Sequence, residues 1–253
     1  MVYSSVNALT SVRKKMENPE GIEKLFFELA SESRLGILHK LTEKDGKMNE
    51  IARKLDLTTT ETFRQLQRLS EGLLVQKQPE GTYTITEYGR LVLQLSAPLE
   101  FVFKHKEYFE KHDISWLPSQ FLSRIGELSQ ANLMMGMVES TMKSSTLIGE
   151  AQQFMWAVSP EPVPQAFEEI SKQIPKGGEY RILSPQPPVK LSNLENRTLS
   201  DPPAVMVVTE KEAVICFRFL GGRVDYAGFF GKAPAFRDWV KDLFLHYWNK
   251  GKR

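Results

Sequence analysis

Cysteine is nearly absent from this chain, whose 253 residues include only Cys216. A single thiol cannot form an intramolecular disulfide, which is typical of proteins in a reducing cytoplasm. The apolar stretches are far shorter than the roughly 20 residues of a membrane-spanning helix. Residues 1–21 lack the apolar run and the small-residue cleavage site of a secretory signal. We therefore expect a cytoplasmic protein with no membrane partner.

A strong excess of charge is also missing, because 33 lysines and arginines are matched by 31 aspartates and glutamates. The formal net charge of +2 does not identify a nucleic-acid binder, so any basic surface must be local. The hydrophobic and charged fractions, 41% and 25%, are those of a globular protein. A chain of this length can form two modest domains.

Catalytic and metal-binding signatures are sparse. Of the four histidines, His105 and His112 lie seven residues apart in a region of helical pattern. No acidic or sulfur ligands are arranged around them, so we expect solvated helix positions. Cys216 lies in the apolar run AVICF and should pack as a small hydrophobe. With no phosphate loop and no converging nucleophile and base, the sequence predicts no enzyme activity, no cofactor and no metal site.

Residues 49–74, NEIARKLDLTTTETFRQLQRLSEGLL, follow a helical region at 21–46 that breaks around Ser31 to Ser33. They read as two short amphipathic helices. Thr58 and Glu61 have the spacing of a capping box, which predicts that a third helix begins there. Its helical wheel has an apolar side with Phe63, Leu66, Ser70 and Leu73. The opposite, polar side carries Glu61, Arg64, Gln65 and Arg68.

A hairpin follows this helix, with a strand from Val75, a Pro-Glu-Gly turn at 79–81, a returning strand at 82–86, and then a helix from Glu87. This is the element order of a winged helix-turn-helix, whose third helix reads the major groove. Arginine pairs there with guanine and glutamine with adenine. A solvated helix face is the alternative, but the context favours DNA contact. The candidate DNA contacts are Thr59, Thr60, Arg64, Gln65, Arg68, Lys77, Gln78 and Tyr83.

The region 96–150 should be largely helical, with an inner face formed by Leu122, Ile125 and Leu128. Beyond it, short strands are predicted at 154–160, 180–185, 204–209, 213–220 and 223–230, and a helix at 163–175. Tight links at Lys211-Glu212 and Gly221-Gly222 favour hairpins. The stretch 184–203 reads as an exposed loop. A final helix should bury Phe236, Trp239, Val240, Leu243, Phe244, Tyr247 and Trp248.

Aromatic residues concentrated in these strands could line a ligand pocket, although packing in the core competes with that role for each of them. A charged residue on the same strands is a better candidate, because a buried charge needs a partner that an effector could provide. The candidate ligand contacts are Trp156, Arg181, Arg218 and Asp225.

Three segments, SESRLGILHKL, NEIARKLDLTTTETFRQLQRLSEGLL and GTYTITEYGRLVLQL, resemble the winged-helix part of arsenical-repressor-type regulators. The wider chain, from about residue 21, resembles archaeal transcriptional regulators with a methanogenesis regulatory protein middle domain. That resemblance is carried by KHKEYFEKHDISWLP, FLSRIGEL, FMWAVSPEPVP and GFFGKAPAFRDWVKDLFLHYW.

These resemblances imply an archaeal, cytoplasmic, dimeric regulator with a carboxy-terminal sensing domain. The implied recognition helix carries Thr59, Thr60, Arg64, Gln65 and Arg68. Metal-sensing repressors add clusters of cysteine and histidine that this sequence lacks, so metal sensing is not expected.

The sequence thus predicts an α+β protein in four segments. They are an N-terminal arm at 1–20, a winged helix-turn-helix DNA-binding domain at 21–95, a helical connector that could dimerise at 96–150, and an effector-binding α/β domain with a mixed or antiparallel sheet at 151–253. We expect a homodimeric transcriptional regulator that binds double-stranded DNA and a small-molecule effector.

Two alternatives remain open. One is a protein-interaction scaffold, which the near-zero net charge of residues 1–95 favours slightly. The other is an enzyme fused to a DNA-binding domain, which the lack of a converging catalytic set disfavours.

Overall fold

A computed structural model describes residues 21–161, 177–186 and 194–253. The chain divides between Ser96 and Ala97 into two compact units. The division into four segments stays a prediction, and the N-terminal arm and the helix expected at 163–175 lie outside the described residues.

The first unit combines helices with a small sheet. The helices are α1 (Ile22–Leu29), α2 (Glu32–Glu43), α3 (Met48–Lys54) and α4 (Thr59–Glu71), and the strands are β1 (Gly46–Lys47), β2 (Val75–Lys77) and β3 (Thr82–Ile85). The strands pair antiparallel in the order β1-β3-β2. The predicted break is present, since Ser31 caps α2 by accepting a hydrogen bond from the amide of Arg34. Strand β1 was not predicted.

The core of this unit lies between α2, α4 and the small sheet, with Ile37, Leu38, Leu66, Leu69 and Ile85 among its buried members. The helical wheel of α4 is partly wrong. Phe63 and Leu73 are 54% and 69% exposed, whereas Thr62 and Leu69 are buried. Leu73 lies beyond the helix end with φ 58°, so it no longer follows the helical period.

The second unit contains more helices and a larger sheet. Helix α5 (Glu87–Lys104) runs across the division, followed by α6 (Lys106–Lys111), α7 (Ser119–Leu122), a 3₁₀ turn (Ile125–Leu128), β4 (Asn132–Met134) and α8 (Met137–Glu150). Ile125 and Leu128 are buried as predicted, but Leu122 is 45% exposed. Strand β4 was not predicted.

Six further strands and one helix complete the unit: β5 (Phe154–Val158), β6 (Glu179–Ser184), β7 (Leu194–Thr198), β8 (Ala204–Thr209), β9 (Ala213–Phe217), β10 (Gly228–Gly231) and α9 (Pro234–Trp248). The sheet order is β4-β10-β9-β8-β5-β6-β7. Strands β5, β6 and β7 are parallel neighbours, and the other pairs are antiparallel.

Two differences from the predicted strands stand out. The stretch expected to be an exposed loop contains β7, which lies at the edge beside β6. Strand β10 begins only at Gly228, five residues later than expected. The hairpin predicted at Lys211-Glu212 is confirmed, because β8 and β9 pair directly across it.

Side chains of the sheet alternate between two apolar layers. Ile215 and Phe217 of β9 face the layer that contains α9, whereas Val214 and Cys216 face the layer that contains α8. All seven residues predicted to form the buried face of α9 are buried. The expectation of a mixed α and β architecture is confirmed. Within the described residues, no helix is both long and apolar enough to cross a membrane.

Candidate functional site

Helix α4 begins at a side-chain cap. Thr58 accepts a hydrogen bond at Oγ1 from the amide of Glu61, at 3.1 Å. The carboxylate of Glu61 accepts a hydrogen bond from the hydroxyl of Ser33 on α2, which joins the start of α4 to its neighbour. Thr59 and Thr60, in the first turn, are exposed.

One continuous stripe of α4 is exposed, and we call it the α4 outer face. It consists of Thr60, Phe63, Arg64 and Gln67, at helical spacings of three, one and three residues. Gln67 donates a hydrogen bond to Glu71. Arg64 was predicted here, but Phe63 and Gln67 were not. The signal that could have found them is the cap at Thr58, because counting inward from it puts Thr62, Leu66 and Leu69 on the inner face.

Gln65 does not lie on this face, so its predicted outward position is wrong. The side chain is 7% exposed and accepts a hydrogen bond at Oε1 from Nη1 of Arg34, at 3.0 Å. Arg34 is itself buried and also donates to the carbonyls of Glu28 and Phe27. Burial lowers the pKa of the Arg34 guanidinium, while the Glu28 carboxylate opposes that shift.

Arg68 is half-exposed and forms an ion pair with Glu28 on α1. Its guanidinium also lies 4.9 Å from the ring centre of Phe27. The hydrogen bond from Arg68 to Glu28 raises the pKa of this guanidinium. These contacts hold Arg68 toward α1, so we regard it as a positioning residue.

The hairpin presents the predicted residues unevenly. Lys77 is exposed at the end of β2, and its Nζ lies 5.9 Å from the ring centre of Tyr83. Tyr83 is buried. Gln78 is half-buried, and its main-chain amide donates a hydrogen bond to the carbonyl of Thr82. Gly81 occupies φ 86°, the left-handed conformation that the turn between the strands requires. Of the three predicted hairpin residues, Lys77 is therefore the one that is both charged and exposed.

The four predicted ligand contacts do not form one site. Trp156 and Arg181 are directly opposite in the parallel register of β5 and β6. The guanidinium of Arg181 lies 4.9 Å from the ring centre of Trp156 and 5.4 Å from that of Trp248. Arg181 also pairs with Glu179 and Glu195. Its charge is thus partnered within the protein.

Arg218 and Asp225 lie elsewhere, in the connection between β9 and β10. Arg218 pairs with Asp201 at 2.7 Å and donates to the carbonyl of Pro202. Asp225 accepts from Nε2 of His112 at 2.9 Å and from the amide of Ala227. Of the four candidates, Asp225 lines a cavity.

That cavity has a volume of about 400 Å³ and is bounded by α6, the end of α5, Leu133 of β4 and the connection between β9 and β10. We call it the α6 cavity. His105 and His112 line it and are both buried, so the expectation of solvated histidines is wrong for this pair. The reason is that Phe101, His105, Tyr108 and His112 follow one another at spacings of four, three and four residues along α5 and α6, and all four are buried.

Two of the residues that line the cavity, His112 and Tyr108, are held by several contacts. The ring of His112 stacks on Tyr108 at 3.7 Å, and its Nδ1 lies 2.5 Å from the carbonyl of Tyr108. The Tyr108 hydroxyl donates to the carbonyl of Ala227 and accepts from the amide of Phe217. Burial raises the pKa of Tyr108 well above its ordinary value. The phenol therefore stays neutral and serves as a structural bridge.

Two other groups have pKa values changed by burial. Burial lowers the pKa of His105, and the nearby Lys104 adds to the effect. Burial raises the pKa of the Cys216 thiol to about 12. Cys216 is completely buried, which confirms that it packs as a small hydrophobe. In the described part of the chain, no group of three histidine, cysteine, aspartate or glutamate side chains could hold a metal ion.

Comparisons with known proteins give structural matches only. No protein-family model and no curated protein matches the chain, so neither family named above is shown. One solved structure similar to this chain is TrmBL2, described as an archaeal chromatin protein with a novel mode of DNA binding. The match covers 87% of this chain and 93% of TrmBL2, at 17% identity and a TM-score of 0.40.

Other similar structures are LepI in complex with SAM and PigF with SAH. Their identities are 11% and 13%, and their TM-scores are 0.26 and 0.24. The matches cover 77% and 78% of this chain and 64% and 66% of the two proteins. A further match is described as a pericyclic reaction enzyme.

These enzyme matches overturn the expectation that the chain is not an enzyme. The small number of catalytic motifs in the sequence therefore does not exclude an enzyme fold. At these TM-scores the matches assign neither a reaction nor a ligand to this chain.

Proposed function

We propose that this protein is a transcriptional regulator that binds double-stranded DNA, with α4 in the major groove. The observation that supports this most directly is the α4 outer face, an exposed polar and aromatic stripe on a helix that starts at a capped end. Helices α2, α3 and α4 followed by the hairpin of β2 and β3 have the order of a winged helix-turn-helix, and α4 takes the place of the recognition helix in it.

The residues of the α4 outer face have the chemistry of base readers. Arg64 can donate two hydrogen bonds to guanine, and Gln67 can pair with adenine. Phe63 suits the methyl group of thymine, since apolar contact with that group is a common form of major-groove readout. Thr59 and Thr60 can donate to phosphate oxygens, which position the helix.

The other residues predicted to contact DNA lie outside the α4 outer face. Gln65 is left out of the proposed DNA contacts because Arg34 holds it inside. Arg68 orients α4 through its ion pair with Glu28. Lys77, at the end of β2, is the wing residue that can reach the flanking phosphates.

Dimerisation is the second part of the proposal. Helix α5 exposes a row of apolar side chains at spacings of three or four residues: Tyr88, Leu91, Leu95, Leu99 and Val102. Such a row is the pattern of a helix that pairs with another helix. A second copy of α5 is the proposed partner, because a dimer would bring two α4 helices to adjacent half-sites of DNA.

Effector sensing is the third part. The proposed site is the α6 cavity, which contains Asp225 and two buried histidines. A ligand that binds one arrangement of the protein more tightly than another would shift its affinity for DNA.

The proposal is tested by fluorescence anisotropy with labelled DNA from the protein's own upstream region, in the presence of excess unrelated DNA. Arg64→Ala should weaken binding roughly tenfold or more, as expected for losing one bidentate base contact. Arg90→Ala is the matched control, because Arg90 is an exposed arginine of the same unit that pairs with Glu87. Equal, weak binding by all three proteins would contradict DNA reading and favour the protein-interaction scaffold.

A further inference from the structure

The α6 cavity is lined by both cationic and apolar side chains. Three lysines, Lys104, Lys106 and Lys111, line it together with two carboxylates, Glu107 and Asp225. One of these carboxylates is already engaged, because Asp225 accepts a hydrogen bond from His112. The charge presented to an entering molecule is therefore positive on balance.

The remaining wall is largely apolar. Leu133, Met135, Phe219 and Ala227 contribute to it, and the ring of Phe219 stacks on His112 at 4.9 Å. A volume of about 400 Å³ lies in the range of sites for small organic molecules. The cavity thus fits a compact ring or short aliphatic body better than a highly hydroxylated molecule.

One residue that lines the cavity, His105, carries a buried nitrogen without a partner in the described part of the chain. His105 is 9% exposed, and among the described residues its Nε2 has no hydrogen-bond partner. The ring itself is fixed between Phe101 and Phe229, at 4.9 Å and 5.1 Å. Buried polar groups are nearly always hydrogen-bonded, so an unpartnered nitrogen on a residue that lines a cavity is a candidate to bond a ligand.

We propose that the α6 cavity binds a small organic carboxylate with an apolar body. In this arrangement Lys106 and Lys111 attract the carboxylate, Leu133 and Phe219 contact the apolar body, and His105 hydrogen-bonds an oxygen. The proposal deepens the proposed function by assigning the class of effector, but binding itself requires no DNA.

The test uses three probes on the full chain without DNA: 2-naphthoate, 2-naphthylmethylamine and inorganic phosphate. The two naphthyl compounds share one ring system and carry opposite charges, and phosphate has the charge without the apolar body. Binding is measured by isothermal titration calorimetry. We expect 2-naphthoate to bind and the other two probes to bind at least roughly tenfold more weakly, the difference expected for one charge-assisted hydrogen bond.

Two variants and one control locate the site. Lys106→Glu/Lys111→Glu should weaken 2-naphthoate binding by roughly tenfold or more, since both attractive charges are reversed. His105→Phe keeps an aromatic ring in place and should weaken binding several-fold. Lys232→Glu reverses an exposed lysine outside the cavity and should leave binding unchanged.

Several results would overturn the proposal. They are no binding of 2-naphthoate, equal binding of the amine, equal binding of phosphate, or an affinity that the lysine variant leaves unaltered. Tryptophan fluorescence of each variant verifies folding, because Trp116, Trp156, Trp239 and Trp248 all lie in the second unit. Loss of DNA binding by Arg64→Ala with naphthoate binding retained would separate the two proposals.

Discussion

Arg34 and Gln65 form a buried hydrogen bond of 3.0 Å that joins α2 to α4. The contact brings together residues 31 positions apart, and it explains why a glutamine occupies the inner side of the helix, beside Leu66 and Leu69. Since Arg34 also holds two carbonyls of α1, one guanidinium connects three helices.

Removing this contact should destabilise the first unit. Gln65→Ala leaves Nη1 of Arg34 buried without its acceptor, which should lower the free energy of unfolding by about 1–3 kcal/mol. Gln67→Ala is the matched control, because Gln67 is exposed and its loss should cost less than about 0.5 kcal/mol. Urea unfolding followed by far-UV circular dichroism, with hydrogen exchange of residues 59–71, measures the difference. Equal stability of the two variants would show that Arg34 finds another partner.

Phe63 should contribute to DNA selectivity without contributing to folding. Phe63→Ala removes an exposed ring, so the stability should change by less than about 0.5 kcal/mol. Affinity for the best site should fall by about 1 kcal/mol or more, with reduced preference for thymine at one position. Selection from a randomised DNA pool, carried out with wild type and variant, gives both quantities. An unchanged preference would place Phe63 outside the groove.

The α5 row should determine the oligomeric state. Leu95→Glu/Leu99→Glu introduces two charges into an apolar row, so the protein should sediment as a monomer of 28.9 kDa while wild type sediments at twice that mass. Leu220→Glu is the control, because Leu220 is equally exposed but lies in a turn. A monomeric wild type, or a dimer that survives the double substitution, would exclude α5 as the interface.

Stability of the second unit should decrease as the pH falls below about 6.5. Burial lowers the pKa of both His105 and His246, so the unfolded chain binds protons more readily than the folded one. The contribution of these neutral histidines to the free energy of unfolding is complete above the ordinary pKa of 6.5, and it is lost as the pH falls from there through the folded pKa. The loss is no more than about 1.4 kcal/mol per pH unit for each histidine.

The pH dependence is measured by urea unfolding between pH 7.5 and 5, followed by tryptophan fluorescence. His105→Gln/His246→Gln should flatten the curve, and His39→Gln, which changes an exposed histidine of the first unit, should not. If the stability of the double variant still falls steeply with pH, groups other than these two histidines cause the pH dependence.

Much of the fold was accessible from the sequence because it depends on local signals. The capping pair Thr58 and Glu61 correctly marked the start of α4, and the spacing of Phe236 to Trp248 identified the buried face of α9. Strand β7 was missed because its residues, Leu194–Thr198, are not predominantly apolar. It lies at a sheet edge beside β6, and such pairing is a tertiary feature.

The candidate sites were less accessible for a related reason. Gln65 looks like a surface residue until Arg34, distant in sequence, supplies its partner. His112 likewise became part of a site only through Asp225, which is 113 positions away. The α6 cavity arises from segments that no local pattern connects, although the seven-residue spacing of His105 and His112 was visible in the sequence.

Tyr108 holds both ends of the segment between Phe217 and Gly228. Its hydroxyl accepts from the amide of Phe217 in β9 and donates to the carbonyl of Ala227, next to β10. Between these two bonds, Gly221 and Gly222 are exposed, and a Cβ added at either position would meet open space. The turn at Gly221-Gly222 should therefore tolerate an inserted peptide tag, which makes it a natural place for a fluorescent reporter.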